Sequence, residues 1–145
     1  MKNLLANPLF YGGVIPAVLY GIVNILAKIV GKRITPYETL MIGGLAIFLV
    51  GLGGLLFYKV KPELNLEGYL GSFFYGLFWG VGSLLVLKAL ADPRGTVSQI
   101  VPLFNMNTLV AIFLALIIFR EFEQVNVVKV ILGAIFIVTG GILVS

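Results

Sequence analysis

Three sets of polar side chains recur at helical spacing inside stretches that are otherwise almost wholly apolar. Gly12, Pro16, Tyr20, Asn24 and Lys28 follow one another at steps of four, and so do Tyr75, Trp79 and Ser83; Pro102, Asn105 and Thr108 recur at steps of three. Their chemistry is neutral hydrogen bonding and aromatic contact, with a lysine at one end. It is not acid–base or nucleophilic chemistry. The chain has no cysteine and no histidine, and Glu38, Glu63, Glu67, Asp92, Glu121 and Glu123 all fall near helix ends or in loops. An enzyme working inside an apolar span needs a nucleophile with a base, or paired acids. The sequence therefore argues against an enzyme, implies no metal site and no cofactor, and gives no support to a proton relay through an embedded carboxylate.

What must position these residues follows from composition. Of 145 residues, 60% are hydrophobic and 11% charged, and the mean hydropathy is +1.11. A soluble domain would be about one quarter charged. So little polar surface cannot cover a globule in water, and the alternative solvent is lipid. A spanning helix needs ~20 mostly apolar residues, and five such stretches use nearly the whole chain. The sequence thus predicts an all-α integral membrane protein, multi-pass in the cell membrane, with residues 1–145 forming a single five-helix transmembrane domain. Nothing at the N-terminus reads as a removable leader, because Asn7-Pro8 interrupts the apolar stretch after Lys2. The net charge of +4 is spread over loops and helix ends without a basic run. That pattern fits anchoring at the lipid headgroups, not nucleic-acid binding.

Local signals mark the helix starts. Asn7-Pro8 and Thr35-Pro36 each place a capping residue before a proline at the first helical position. Glu38 adds the partner of a capping box to Thr35. Asn65-Leu66-Glu67 opens a third helix, Thr96 and Gln99 have capping-box spacing for a fourth, and Asn126 can cap a fifth. The expected spans are about 8–31, 36–59, 66–91, 97–120 and 127–145. Short loops make consecutive helices antiparallel neighbours. Most Lys and Arg sit at helix C-termini, where they complement the dipole and snorkel to the headgroups.

The polar faces can be sorted by what lipid tolerates. An asparagine and a lysine on the first helix should face protein or water, either lining a cavity or crosslinking helices. On the third helix Gly68, Ser72, Gly76 and Gly80 form a small-residue ridge, which is a packing device. Beside it run Tyr75, Trp79 and Ser83. Trp79 falls near mid-span, away from the interfacial belt, where it lines a cavity or fills a gap. On the fourth helix Pro102 frees a carbonyl one turn back, and such groups are tolerated only inside protein or beside water. In a continuous helix Asn107 lies about 200° round from Asn105. One of the two then faces a pathway while the other joins helices. The candidate substrate-binding residues are Tyr20, Asn24, Lys28, Tyr75, Trp79, Ser83, Asn105 and Thr108.

Five spans put the termini on opposite sides of the membrane. Lys2, Lys59, Lys61, Arg120 and Lys129 fall on one side and Lys28, Lys32, Arg33, Lys88 and Arg94 on the other, five against five. The positive-inside rule finds no difference to read. Insertion in both orientations and a fixed orientation set by a partner or by the first loop are both compatible with that balance.

The stretch "VLKALADPRGTVSQIVPLFNMNTLVAIFLALIIFREFEQVNVVKVILGAIFIVTGGILVS" resembles the second part of an EamA-type repeat of the drug/metabolite transporter superfamily. Ala89-Leu90 close the third helix, Pro102 comes early in the fourth, a glutamate follows it, and Gly133 with Gly140-Gly141 lies in the fifth. "YGIVNILAKIVGKRITPYETL" is similar to the first helix and turn of that repeat. The family glutamate usually lies nearer the fifth-helix glycine than Glu121 does, which leaves Glu123 as an alternative counterpart. The resemblance implies one five-helix repeat of a secondary transporter, paired as an inverted homodimer with alternating access. Its cavity would be lined by the first, third and fourth helices and would take a small molecule. The missing buried acid favours a neutral, zwitterionic or anionic metabolite over a lipophilic cation. The competing reading is a half-transporter or accessory subunit that needs a different partner chain.

The charge balance is directly testable. A C-terminal reporter should appear on both sides of the membrane, and adding two arginines beside Lys2 or near Lys32 should drive it to opposite sides. A reporter confined to one side in the unaltered chain would exclude dual insertion.

Overall fold

A computed structural model describes residues 7, 8, 10–63 and 65–144, and every regular element among them is helical. Lys2, one of the topology charges, and Ser145, the expected last residue of the fifth helix, lie outside the described residues. The chain divides into two compact units, Met1–Pro93 and Arg94–Ser145.

The first unit holds three long helices. A π-helical turn, Phe10–Val14, leads into α1, Ile15–Val30. The reason for the wide turn lies in the sequence. Pro16 has no N–H to offer the carbonyl of Gly12 four residues back, and a π turn is one way to absorb that loss. Gly12 therefore leaves the straight stripe, which runs Pro16, Tyr20, Asn24, Lys28. Helix α2, Pro36–Phe57, starts on the expected capping box: Glu38 N–H donates to Thr35 Oγ1 at 3.2 Å and Thr35 N–H to Glu38 Oε2 at 2.8 Å. It ends with Lys59 in the left-handed region, φ 51°, and Val60 N–H returning to the Leu55 carbonyl at 3.1 Å. That is a Schellman closure with lysine where glycine is usual. Helix α3, Leu66–Ala91, is capped by Asn65, whose Oδ1 accepts from Gly68 N–H at 3.0 Å. It stops at Asp92, held extended (ψ 135°) as the residue before Pro93.

Packing in this unit concentrates at one end. Helix α3 meets both α1 and α2. Half-buried positions cluster there: Asn24, Ala27, Lys28, Val30 and Gly31 at the end of α1, Pro36, Thr39 and Leu40 at the start of α2, and Ser83, Leu84, Val86, Leu87 and Ala89 in α3, with Phe10, Pro16, Gly54 and Gly80 half-buried outside this cluster. By contrast, residues 41–53 of α2 and 66–79 of α3 are exposed throughout. Leu90, at the converging end, is the one fully buried large side chain among the described residues. A Cβ on Gly31 would stand 3.2 Å from the Ala91 Cβ and 3.3 Å from its Cα, so α1 and α3 touch there because position 31 has no side chain. Lys28 Nζ donates to the carbonyls of Leu90 (2.8 Å) and Asp92 (3.2 Å), and Lys88 Nζ lies 5.0 Å from the centroid of the Tyr37 ring. Hydrogen bonds to a charged group contribute roughly 1.5–3 kcal/mol each, and an exposed cation–π contact about 0.5–1 kcal/mol.

In the second unit the expected continuous fourth helix is broken. Helix α4, Val97–Phe104, and α5, Asn107–Ile118, are separated by Asn105 and Met106. Pro102 cannot donate to the Ser98 carbonyl. Past it the bonds tighten to three-residue steps: Met106 to Leu103 (3.2 Å), Thr108 to Asn105 (3.1 Å) and Leu109 to Met106 (2.9 Å). At the start of α4, Thr96 Oγ1 bonds the Gln99 Oε1 at 2.7 Å in place of the expected cap to a backbone N–H. A 3₁₀ turn, Glu121–Glu123, follows Arg120 (φ 52°). Helix α6, Val127–Val144, opens on Asn126, whose Oδ1 accepts from Lys129 N–H at 3.1 Å. Both α4 and α5 pack on α6. Gly141 is buried there, with Met106 Sδ and the Pro102 carbonyl oxygen 3.5 and 3.6 Å from where its Cβ would be.

Phe10–Val30, Pro36–Phe57, Leu66–Ala91 and Val97–Ile118 are each long and apolar enough to cross a membrane, and α6 is a shorter apolar helix. Its 18 residues reach about 27 Å at 1.5 Å each.

The glycine contacts separate by substitution. Gly31→Leu should destabilise the detergent-solubilised protein by about 1–3 kcal/mol, as over-packing does. Gly43→Leu, with nothing within 4 Å, should shift the melting temperature little. Equal shifts for the two would refute the close approach of α1 to α3.

Candidate functional site

The first two polar sets belong to one unit, and their depths follow from the converged end. Helices α1 and α3 run parallel toward it, so residues can be counted back at 1.5 Å each. Asn24 stands about 6 Å from the level of Lys28, and Tyr20 about 12 Å. On α3, Ser83 stands about 10 Å from the level of Leu90, Trp79 about 16 Å and Tyr75 about 22 Å. Tyr20 and Trp79 thus reach roughly the middle of a ~30 Å hydrocarbon layer. Asn24 and Ser83 are half-buried, while Tyr20 is 61% exposed, Trp79 46% and Tyr75 73%. Polarity and shelter increase together toward the closed end, and the aromatic groups occupy the open half.

Lys28 has a different task from the one its spacing suggested. Its ammonium is engaged with the carbonyl end of α3, where the helix dipole and unpaired C=O groups favour a cation. Lys88 lies over Tyr37. Within the chain, Gly76 and Gly80 of the small-residue ridge have nothing within 4 Å of where a Cβ would be, and Gly68 has only its own cap, Asn65. The close approaches are at Gly31 and Gly141. A cleft of about 400 Å³ is lined by Gly31–Pro36 and Glu38, in the loop between α1 and α2; none of the eight candidate binding residues borders it.

In the second unit the third polar set is divided by the helix break. The Pro102 turn faces Gly141 of α6, Asn105 is exposed between the two helical segments, and Thr108 is half-buried in α5. The opposition of Asn105 and Asn107 assumed one continuous helix, and that assumption fails at this break. Asn107, also exposed, accepts from Thr108 Oγ1 at 3.5 Å, the outer limit of a hydrogen bond. This unit offers amide and hydroxyl groups beside backbone whose helical bonding is interrupted. Such backbone at membrane depth is stable where protein or water can satisfy it.

These elements define a multi-pass helical membrane protein whose spans carry neutral polar and aromatic groups. Residues 9–145 match the model of the EamA-like transporter family, and the chain belongs to that family. Over 132 residues it is 29% identical to a Listeria monocytogenes protein named "Putative sugar uptake protein" and 28% identical to a Listeria innocua protein of the same description. Each match covers 90% of this chain and 44% of the relative, so the chain spans less than half the length of the curated relatives it matches. No solved structure matches it.

Asn105 provides the sharpest separation of ligand contact from helix glue. Because it is exposed, Asn105→Leu should change stability by no more than about 0.5 kcal/mol while substrate uptake is lost or altered. Loss of thermal stability with uptake preserved per folded molecule would remove Asn105 from the site.

Proposed function

We propose that this chain is one repeat of a secondary transporter for small polar metabolites, with sugars the first class to test. It works as an antiparallel homodimer with alternating access. The observation that carries this reading is the neutral hydrogen-bonding and aromatic ladder on α1 and α3, which holds Tyr20 and Trp79 near mid-membrane and contains no carboxylate. A sugar offers hydroxyls to asparagine, serine and tyrosine and an apolar face to an aromatic ring, without a charge that needs a counter-ion. Lys28 then serves structure rather than substrate; Tyr20, Asn24, Tyr75, Trp79 and Ser83 are the cargo contacts proposed for the first unit, and Asn105 and Thr108 those proposed for the second. Family membership and the printed names of the two relatives support the transporter and sugar assignments.

The pairing has its own support. A single repeat supplies half a midplane cavity, and two repeats related by an in-plane axis supply a whole one. The even Lys/Arg balance lets both orientations form, and the exposed glycines of α3 leave room for a neighbouring helix. The greater length of the relatives favours a second reading, in which a non-identical partner repeat completes the cavity.

Two experiments test these claims. Liposomes containing the protein should take up labelled glucose or ribose saturably, and should not accumulate labelled leucine or tetraphenylphosphonium. The reverse preference would overturn the sugar assignment. The two arginine-biased topology variants should each be inactive alone and active when co-expressed; full activity from one of them alone would leave the unlike-partner reading.

A further inference from the structure

We propose that Lys28, Gly31, Ala91 and the carbonyl end of α3 form a gate that closes one membrane face of the pathway and parts during transport. The inference rests on the alternating-access reading and assigns it a moving part. Three observations at one place carry it. The helices of the first unit are packed at this end and exposed along residues 41–53 of α2 and 66–79 of α3. At its centre Leu90 is fully buried, and its own carbonyl takes the 2.8 Å bond from Lys28. The contact between helices is made by the smallest residues available, Gly31 against Ala91.

Those features suit a contact that opens and recloses. Glycine and alanine do not interlock, so two helix ends can separate without changing side-chain rotamers. The lysine stem is long enough to carry its ammonium from the α3 carbonyls to the headgroups, giving it a second solvated position. The released carbonyls lie at the membrane surface, where water replaces the lost donors. In an antiparallel pair the second copy presents the same gate to the opposite face. One set of residues then serves both sides in alternation.

The chain contains no cysteine, which makes the gate addressable. The ideal Cβ separation of 3.2 Å between positions 31 and 91 is slightly under the usual range for a disulfide, about 3.5–4.5 Å. The G31C/A91C variant in liposomes should cross-link on oxidation, lose at least tenfold of its labelled glucose or ribose uptake, and regain it on reduction. Failure to cross-link, or undiminished uptake when cross-linked, overturns the gate. A second measurement needs no substrate. In nanodiscs, a water-soluble maleimide should alkylate A91C at least fivefold faster when K28M is added, with K28R restoring the slow rate, all below the melting transition of each variant. An unchanged rate with K28M overturns the gate even if sugar is carried. If neither the unmodified protein nor the reduced double variant takes up sugar, the labelling result alone decides the gate. Acceleration with no uptake of either sugar would sustain the gate and refute the substrate assignment.

Discussion

The last carbonyls of α3 must find donors, and the geometry of the first unit follows from how they do. A helix ends with C=O groups that its own backbone cannot satisfy, and Asp92-Pro93 prevents α3 from continuing to postpone the problem. Lys28 supplies two of the bonds from a different helix. Bringing its ammonium there draws the end of α1 onto α3, and glycine at position 31 eases that approach, since a Cβ there would stand 3.2 Å from that of Ala91. Lys88 then faces Tyr37 on α2. Once these ends are fixed, the depth of every polar residue on α1 and α3 is set by helical rise, so the end contact also positions the candidate site.

The second unit meets the same backbone constraint by another route. Pro102 removes a donor in mid-span, and the chain responds by breaking into α4 and α5 with tighter bonds across Leu103–Leu109. Helix α6 supports the break: Gly141 leaves room for Met106 and the Pro102 turn. The polar residues around the break are therefore set in irregular backbone, whereas those of α1 lie on a regular face.

Local features were legible in the sequence and contacts between distant residues were not. The caps at Thr35, Asn65 and Asn126 could be read because donor and acceptor lie three residues apart. The apolar spans could be read because lipid imposes length and composition. Proline announced a disturbance in the fourth span, but whether a helix bends or breaks depends on what packs beside it. The role of Lys28 was hidden because its acceptors are backbone carbonyls 62 and 64 residues away, and every residue type carries one. Regular spacing at Gly68, Ser72, Gly76 and Gly80 marked a packing ridge, whereas the close glycine approaches within the chain are at Gly31 and Gly141, where spacing gives no signal.

The 26 residues of α3 make a rod about 39 Å long, against a hydrocarbon layer of ~30 Å. A rod longer than the layer must tilt or protrude, and this one is pinned at one end. While Lys28 holds its last carbonyls, it is a lever with its fulcrum beside Leu90. A rotation of about 10° there would carry the opposite end about 7 Å, given that length, while Ser83, close to the pivot, would move only about 2 Å. Small, smooth residues at the pivot and large aromatic ones along the arm are the arrangement such mechanics calls for: little displacement where helices touch, and a wide sweep where cargo would enter.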